Sequence, residues 1–208
     1  MRGIFITFEG IDGCGKTTQA VVLKKRLEAI GHKVIFAREP GGTKISEMIR
    51  EILLSADNVE MDPVTESILL AASRSQLTKE IIMPALDEGK VVICDRYFDS
   101  TIAYQGYGRG LDITWLRELN RVATYELVPH LTFLIDLSVE KCRERMYGKK
   151  FDRLEQEDDI FLRKIREGYL SLSKEEIGRY IVVEGDKSIA KIEDIIWKET
   201  QKRLKEFY

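Results

Sequence analysis

No stretch of the chain comes near the roughly 20 consecutive apolar residues that a membrane-spanning helix needs. The apolar opening MRGIFITFEG is cut short by an acid, so neither membrane insertion nor a targeting leader is expected. Cysteine is scarce. Cys14, Cys94 and Cys142 are too few and too irregularly spaced for a disulfide framework or a zinc site, which points to a reducing, cytoplasmic compartment. A surplus of positive charge is missing as well. With 33 Lys and Arg against 35 Asp and Glu, the net charge is -2, which argues against a general nucleic-acid binder and requires any phosphate affinity to be local. Linkers rich in Pro, Gly or Ser, internal repeats and low-complexity tails are all absent. The 208 residues, 44% of them hydrophobic, therefore read as one domain, 1–208, with enough apolar material for a real core.

What the chain does have is a recurring alternation. Short apolar runs rich in β-branched residues stand at 3–9, 33–37, 91–94, 131–136 and 180–184, and read as buried parallel strands. Between the first two, Ala20, Leu23, Leu27 and Ile30 recur at helical spacing and Gly31 supplies a stop. Further helices are expected at about 44–55, 64–88, 113–126, 138–147, 156–177 and 188–206, the last with Ile189, Ile192 and Ile196 on one face. The expected fold is α/β, three-layered, a five-stranded parallel sheet with helices on both faces. The densest charge, at 141–159, reads as an insertion between helices.

GIDGCGKTTQ, residues 10–19, carries the clearest chemistry. Gly10, Gly15, Lys16 and Thr17 fit G-x-x-x-x-G-K-[ST] between an expected strand and an expected helix, the context this phosphate-binding loop requires. The loop from Gly10 through Ile11, Asp12, Gly13, Cys14, Gly15, Lys16, Thr17 and Thr18 is expected to bind a nucleoside triphosphate. Backbone amides and the helix N-terminus would hold its phosphates, Lys16 the outer ones, and the Thr17 hydroxyl a Mg²⁺ ion. Cys14 reads as a small filler. Asp95 closes the third strand, at the sheet edge where ligands bind, and suits Mg²⁺ through water. Arg96, next to it, suits a phosphate gripped by two hydrogen bonds; a purely structural Asp–Arg pair is the alternative. The N-K-x-D segment that reads guanine in regulatory GTPases does not occur.

Several segments together resemble the bacterial thymidylate kinases over nearly the whole chain: FEGIDGCGKTTQ, REPGGT at 38–43, LLAASR at 69–74, DRYFDSTIAYQG at 95–106 and DRLEQED at 152–158. The run from Asp95 to Gly106 is the most specific of these, since other nucleotide kinases share the phosphate loop but lack this run. The resemblance implies the P-loop nucleoside monophosphate kinase fold with a short lid at 141–158, a homodimer whose helices pack together, and transfer of phosphoryl from ATP·Mg²⁺ to dTMP. It implies Asp12 at the acceptor sugar, Arg74 at the O4 edge of the base, and Thr101 and Gln105 at N3 and O2. It further implies Tyr104 under a deoxyribose, Arg38 and Arg96 on the 5′-phosphate with Pro40 shaping the loop, and Glu39 ordering those arginines. Glu9 would be a second acid near Mg²⁺, and adenine would lie near 184–188.

Two departures from the family pattern matter. Leu70 occupies a position where an aromatic often stacks on thymine, and Gly13 one where a branch of the family carries an arginine. The lid must then supply a cation from Arg143, Arg145, Lys149, Lys150 and Arg153, with Arg153 expected to reach the transferred group and Lys149 next in order. The catalytic set is thus Lys16, Arg96, Arg153 and Lys149. A kinase for another pyrimidine monophosphate such as dUMP and a non-catalytic ATP-binding protein remain the competing readings, since one methyl group is worth only about 1–3 kcal/mol of discrimination. His32 and His130 lie outside all these segments.

Overall fold

Five parallel strands build one sheet in the computed structural model, which describes residues 3–207. They are β1 (Phe5–Glu9), β2 (Val34–Arg38), β3 (Val91–Asp95), β4 (Leu131–Asp136) and β5 (Tyr180–Glu184), in the order β2-β3-β1-β4-β5. Side chains alternate between the sheet faces. Ile4, Ile6 and Phe8 enter the larger core cluster, whereas Phe5 enters a second one with Val92, Cys94, Leu77 and Tyr97. Both faces are covered, as the uninterrupted apolar character of the strands requires.

Register positions the site. Phe8 pairs with Asp95 and Asp95 with Arg38, so the ends of β1, β3 and β2 stand at one level. The chain leaving β1, the Asp95–Arg96 pair and the loop after β2 therefore meet at the carboxyl edge, where strand order reverses about β1. At the opposite end His130 is structural: its Nδ1 accepts a hydrogen bond of 2.9 Å from the amide of Phe5.

The helices are α1 (Lys16–Ala29), α2 (Lys44–Leu54), α3 (Pro63–Leu77), α4 (Met83–Asp87), α5 (Phe98–Thr101), α6 (Ile113–Ala123), α7 (Val139–Met146), α8 (Asp159–Glu175) and α9 (Ile189–Phe207). Their starts follow the side-chain chemistry of capping. Thr43, Asp62, Asp112, Ser138 and Asp158 each accept a hydrogen bond from a backbone amide of the first turn. The short helices α4 and α5 have no side-chain cap, and neither has α1, which Gly15 caps at φ 103.

Three expectations need correction. The helix expected at 64–88 is broken by a π-helical turn, Thr78–Ile82, because Pro84 removes an amide donor and its ring would strike the carbonyl one turn earlier. A helix outside the expected set runs from Phe98 and widens into π-helix at Ile102–Gly108; such wide turns gather at functional sites. Ile30 and Ile189, placed on apolar faces by their spacing, are exposed, and only Ile192 and Ile196 of the last group are buried.

Helix α8 lies against the π-helical segment. A Cβ on Gly168 would come within 2.7 Å of the Tyr107 ring, so this contact needs a residue without a side chain. It brings Tyr169 under the site.

Candidate active site

Two cavities open at the carboxyl edge of the sheet and share Asp12, Lys16, Thr17 and Glu155. The first, about 240 Å³, runs from these residues past Arg38, Arg96 and Tyr104 to Arg74, Thr101 and Gln105. The second, about 530 Å³, follows the loop from Asp12 to Thr18 and extends to Lys149, Gly185 and Lys187.

The second cavity has the build of a phosphate cradle. Gly10, Gly13 and Gly15 all have positive φ, which turns successive amides inward. Gly13 has no alternative, since a Cβ there would stand 2.7 Å from the carbonyl of Cys142. With no side-chain cap and no acid in its first turn, α1 leaves its N-terminal amides and dipole to an anion. Gly10 and Ile11 stay behind the cradle. Neither lines a cavity, and Ile11 is core. Cys14 is buried, and burial raises its thiol above the ordinary range, so it fills space.

At the shared wall Asp12 accepts from Lys16 Nζ at 3.0 Å, Arg96 Nη2 at 2.6 Å and the Tyr104 hydroxyl at 2.9 Å. Burial works to raise its pKa, but Arg96, followed by Lys16, outweighs burial and holds the carboxyl far below its ordinary value. Arg96 itself sits in left-handed backbone at φ 69, a strained position for a side chain of this size. Its Nη1 donates to Ser100 Oγ and to the Tyr169 hydroxyl, and both of those donate to Glu9. Glu9, expected near Mg²⁺, is instead spent on this scaffold. Its other oxygen accepts from the Tyr97 amide at 2.7 Å, and Glu9 lines neither cavity. Burial, then Asp99, pushes its pKa from 4.5 up to about 7 against the pull of Arg96.

Thr17 and Asp95 are the residues present that would suit a Mg²⁺ ion. The Thr17 hydroxyl donates to Asp95 Oδ2, and Asp95 Oδ1 is buried with no partner among the described residues. No three His, Cys, Asp or Glu side chains cluster as a metal cage among the described residues. An ion here would complete its shell with phosphate oxygens and water, as Mg²⁺ usually does.

The far end of the first cavity is more tightly knit than expected. Arg74 is fully buried, donating to Glu39 at 2.6 Å and to Asn120 Oδ1 at 2.7 Å. Glu39 therefore orders Arg74, and the expectation that it orders Arg38 and Arg96 is corrected. Glu47 takes that role for Arg38 at 2.9 Å, and Asp12 for Arg96. Pro40 lends its carbonyl to Arg38 and Arg50. Leu70 lines the cavity where a stacking ring was looked for, and Tyr104 is the one aromatic residue among those lining it.

Of the cations at 141–158, Lys149 lines the second cavity and Arg145 bridges it, donating to the carbonyls of Cys14 and Gly185. Arg153 is elsewhere. It is buried, paired with Glu66 at 2.6 Å and donating to the Leu53 carbonyl, because Asp152 caps the 152–155 turn and directs the next residue inward. Lys150 lines a separate surface cleft. The 141–146 part of the expected lid is helix, anchored by buried Cys142 and Met146. Sequence reasoning missed Arg50, Ser100, Glu66 and Tyr169. Arg50, Glu66 and Tyr169 are unremarkable residues of α2, α3 and α8, and Ser100 of the short α5, until the fold gathers them.

No helix among the described residues is long and apolar enough to cross a membrane. The profile of the family described as Thymidylate kinase matches residues 8–196. The thymidylate kinase of Caldanaerobacter subterraneus subsp. tengcongensis is 47% identical over 205 residues, spanning 99% of this chain and 98% of that protein. That of Geotalea uraniireducens is 47% identical over 211 residues, covering 98% and 99% respectively. A crystal structure of thymidylate kinase from Ehrlichia chaffeensis superposes with TM-score 0.78 at 34% identity, over 96% of this chain and 99% of that one. A profile match over most of the length, close relatives aligned end to end and a shared architecture agree with the paired cavities: the chain belongs to the thymidylate kinase family.

Proposed function

We infer that this protein phosphorylates dTMP with ATP, giving dTDP and ADP. The observation that carries the reading is the meeting of two cavities at Asp12, Lys16 and Thr17, one a phosphate cradle and the other lined by arginines. A donor in the first and an acceptor in the second would bring their phosphates to one point.

The site roles belong to the same proposal. Gly13, Gly15 and Thr18 hold the donor phosphates with Lys16, and the loop around Gly185 receives adenine. Arg38 and Arg96 clamp the acceptor 5′-phosphate, joined by Arg50. Two anions brought together need cations before they need a base, so positioning and charge neutralisation do most of the work. A Mg²⁺ ion held by Thr17 and Asp95 would neutralise donor oxygens. Asp12 keeps one oxygen with a single donor on it, open to a 3′-hydroxyl. Tyr104, fixed by Asp12 and Arg96, forms the floor that a 2′-hydroxyl would strike. Of the lid cations, Lys149 is favoured for the transferred group because it lines the donor cavity and its ammonium has no ion-pair partner among the described residues. Closure is assigned to 147–158, within a single domain.

A second copy of the chain is the proposed partner. Ile45, Met48 and Ile52 on α2, Val64 and Ile68 on α3, and Trp115 and Val122 on α6 are exposed at helical spacing, the pattern of an apolar face awaiting cover. Three buried, unbridged thiols support a cytoplasmic setting. ADP release measured with ATP and each nucleoside monophosphate in turn tests the function. Stimulation by dTMP far above the others is expected, and no stimulation by any acceptor would leave only an ATP-binding protein.

A further inference from the structure

Glu66 is wholly buried in the first turn of α3, behind the acceptor cavity, and lines neither cavity. A buried carboxylate is costly to keep unless it is well paired, and here every partner is a donor. Gln105 Nε2 donates to Oε1 at 2.8 Å, Arg153 Nη2 stands 2.6 Å from Oε2, and Arg109 reaches the same carboxylate at 3.5 Å.

Gln105 is the partner that faces the ligand. An amide side chain has one donor end and one acceptor end, and which end turns which way depends on its neighbours. A carboxylate flanked by two guanidinium groups only accepts, so the Gln105 nitrogen must point to Glu66. Its Oε1 is then left buried without a partner among the described residues, in a side chain that lines the acceptor cavity. Thr101 Oγ1, beside it, is also unpartnered, but a hydroxyl rotates to donate or accept and imposes no choice. Gln105 does impose one.

We propose that Glu66 is a positioning residue for base choice: by holding the Gln105 amide nitrogen it fixes a lone acceptor toward the base, so that the pocket demands a ring N–H there. This rests on the reading of the first cavity as the acceptor site. Thymine and uracil present N3–H and satisfy the acceptor. Cytosine presents a lone pair at N3, which would leave two acceptors facing each other in a dry pocket, an arrangement sites reject strongly. Arg153 gains its place from the same geometry. It comes from the turn after α7 and locks the Glu66 side chain, so the lid segment is tied to the base end of the site.

The test is kcat/KM for dTMP, dUMP and dCMP with saturating ATP, in the wild type, Glu66→Gln, Gln105→Leu and the double variant, with thermal melts to check folding. A glutamine at 66 can donate as well as accept, which frees the Gln105 amide to turn over. The dTMP-to-dCMP ratio should fall about tenfold or more in Glu66→Gln, with the dTMP-to-dUMP ratio and the KM for ATP unchanged. The double variant should lose no more selectivity than Gln105→Leu alone, as for residues acting through one contact. Collapse of the ratio in Gln105→Leu but not in a folded Glu66→Gln would overturn the proposal and leave the acceptor site standing. An unchanged ratio in both would overturn the proposal together with the role of Gln105. If Glu66→Gln does not fold, Glu66→Asp replaces it, keeping the charge for Arg153 while withdrawing the oxygen from Gln105. The same narrowing is expected, and a retained ratio would refute the idea.

Discussion

Arg96 concentrates the residue-scale argument. Its backbone is strained, and its guanidinium is held on one side by Asp12 and on the other by Ser100 and Tyr169, both anchored on Glu9. Strain of this kind costs about 1–3 kcal/mol and persists where the surroundings over-determine it. Arg96→Ala should lower kcat by about 10²–10³-fold while leaving ATP affinity, measured by equilibrium binding, within about threefold. Unchanged turnover would take Arg96 out of the transfer site. Glu9 supplies a pH signature. Its folded pKa, about 7, lies above the ordinary 4.5, so between these values the folded state keeps a proton that the unfolded chain has released. Its contribution to stability is full below pH 4.5 and is lost as pH rises towards 7, roughly 3 kcal/mol in all. Denaturant melts of Glu9→Gln should show a flatter decline across that window than wild type, whatever the absolute loss. An identical slope would mean that Glu9 titrates normally. The identities of Arg96 and Asp95 were legible because they follow an apolar run directly. Glu9 was legible as an acid at a strand end but not as a scaffold, since its partners lie 88 to 160 positions away in the chain.

At the scale of elements, periodicity located the five strands to within two residues and most helices, because buried parallel strands and amphipathic helices have different repeats. It failed where the repeat itself changes. The stretch from Phe98 to Gly108 is helix of two widths, and no single period describes it. Its wide turns present Tyr104 and Gln105 to the first cavity, the proposed acceptor site. The lid shows a different limit: the arginines of 141–158 are alike in sequence, and only the Asp152 turn sends Arg153 inward while Lys149 stays beside the phosphate cradle. Helix α8 supports the π-helical segment through a glycine contact. Gly168→Ala would press a methyl into Tyr107. The expected cost is roughly 1–3 kcal/mol, seen as a fall of several degrees in Tm, together with a raised KM for dTMP. A Tm equal to wild type would show that the two elements are less tightly fitted than described here.

For the whole molecule, the topology explains why one edge collects everything. Strand order reverses about β1, and parallel register sets the ends of β2, β3 and β1 level, so three loops converge on one crevice. The exposed apolar face of α2, α3 and α6 lies on the outside of this arrangement. Placing a charge there, as in Ile52→Glu, should shift the protein from dimer to monomer in sedimentation velocity, and a wild type that sediments as a monomer would refute the proposed pairing. The central claim is that donor and acceptor meet at the wall formed by Asp12, Lys16 and Thr17, so that the phosphoryl group passes between them in a single displacement. The stereochemical course at phosphorus, followed with ATP made chiral at its γ-phosphoryl group, tests this most directly. Inversion of configuration is the expected result; retention would require an intermediate carried by the protein and would contradict the account.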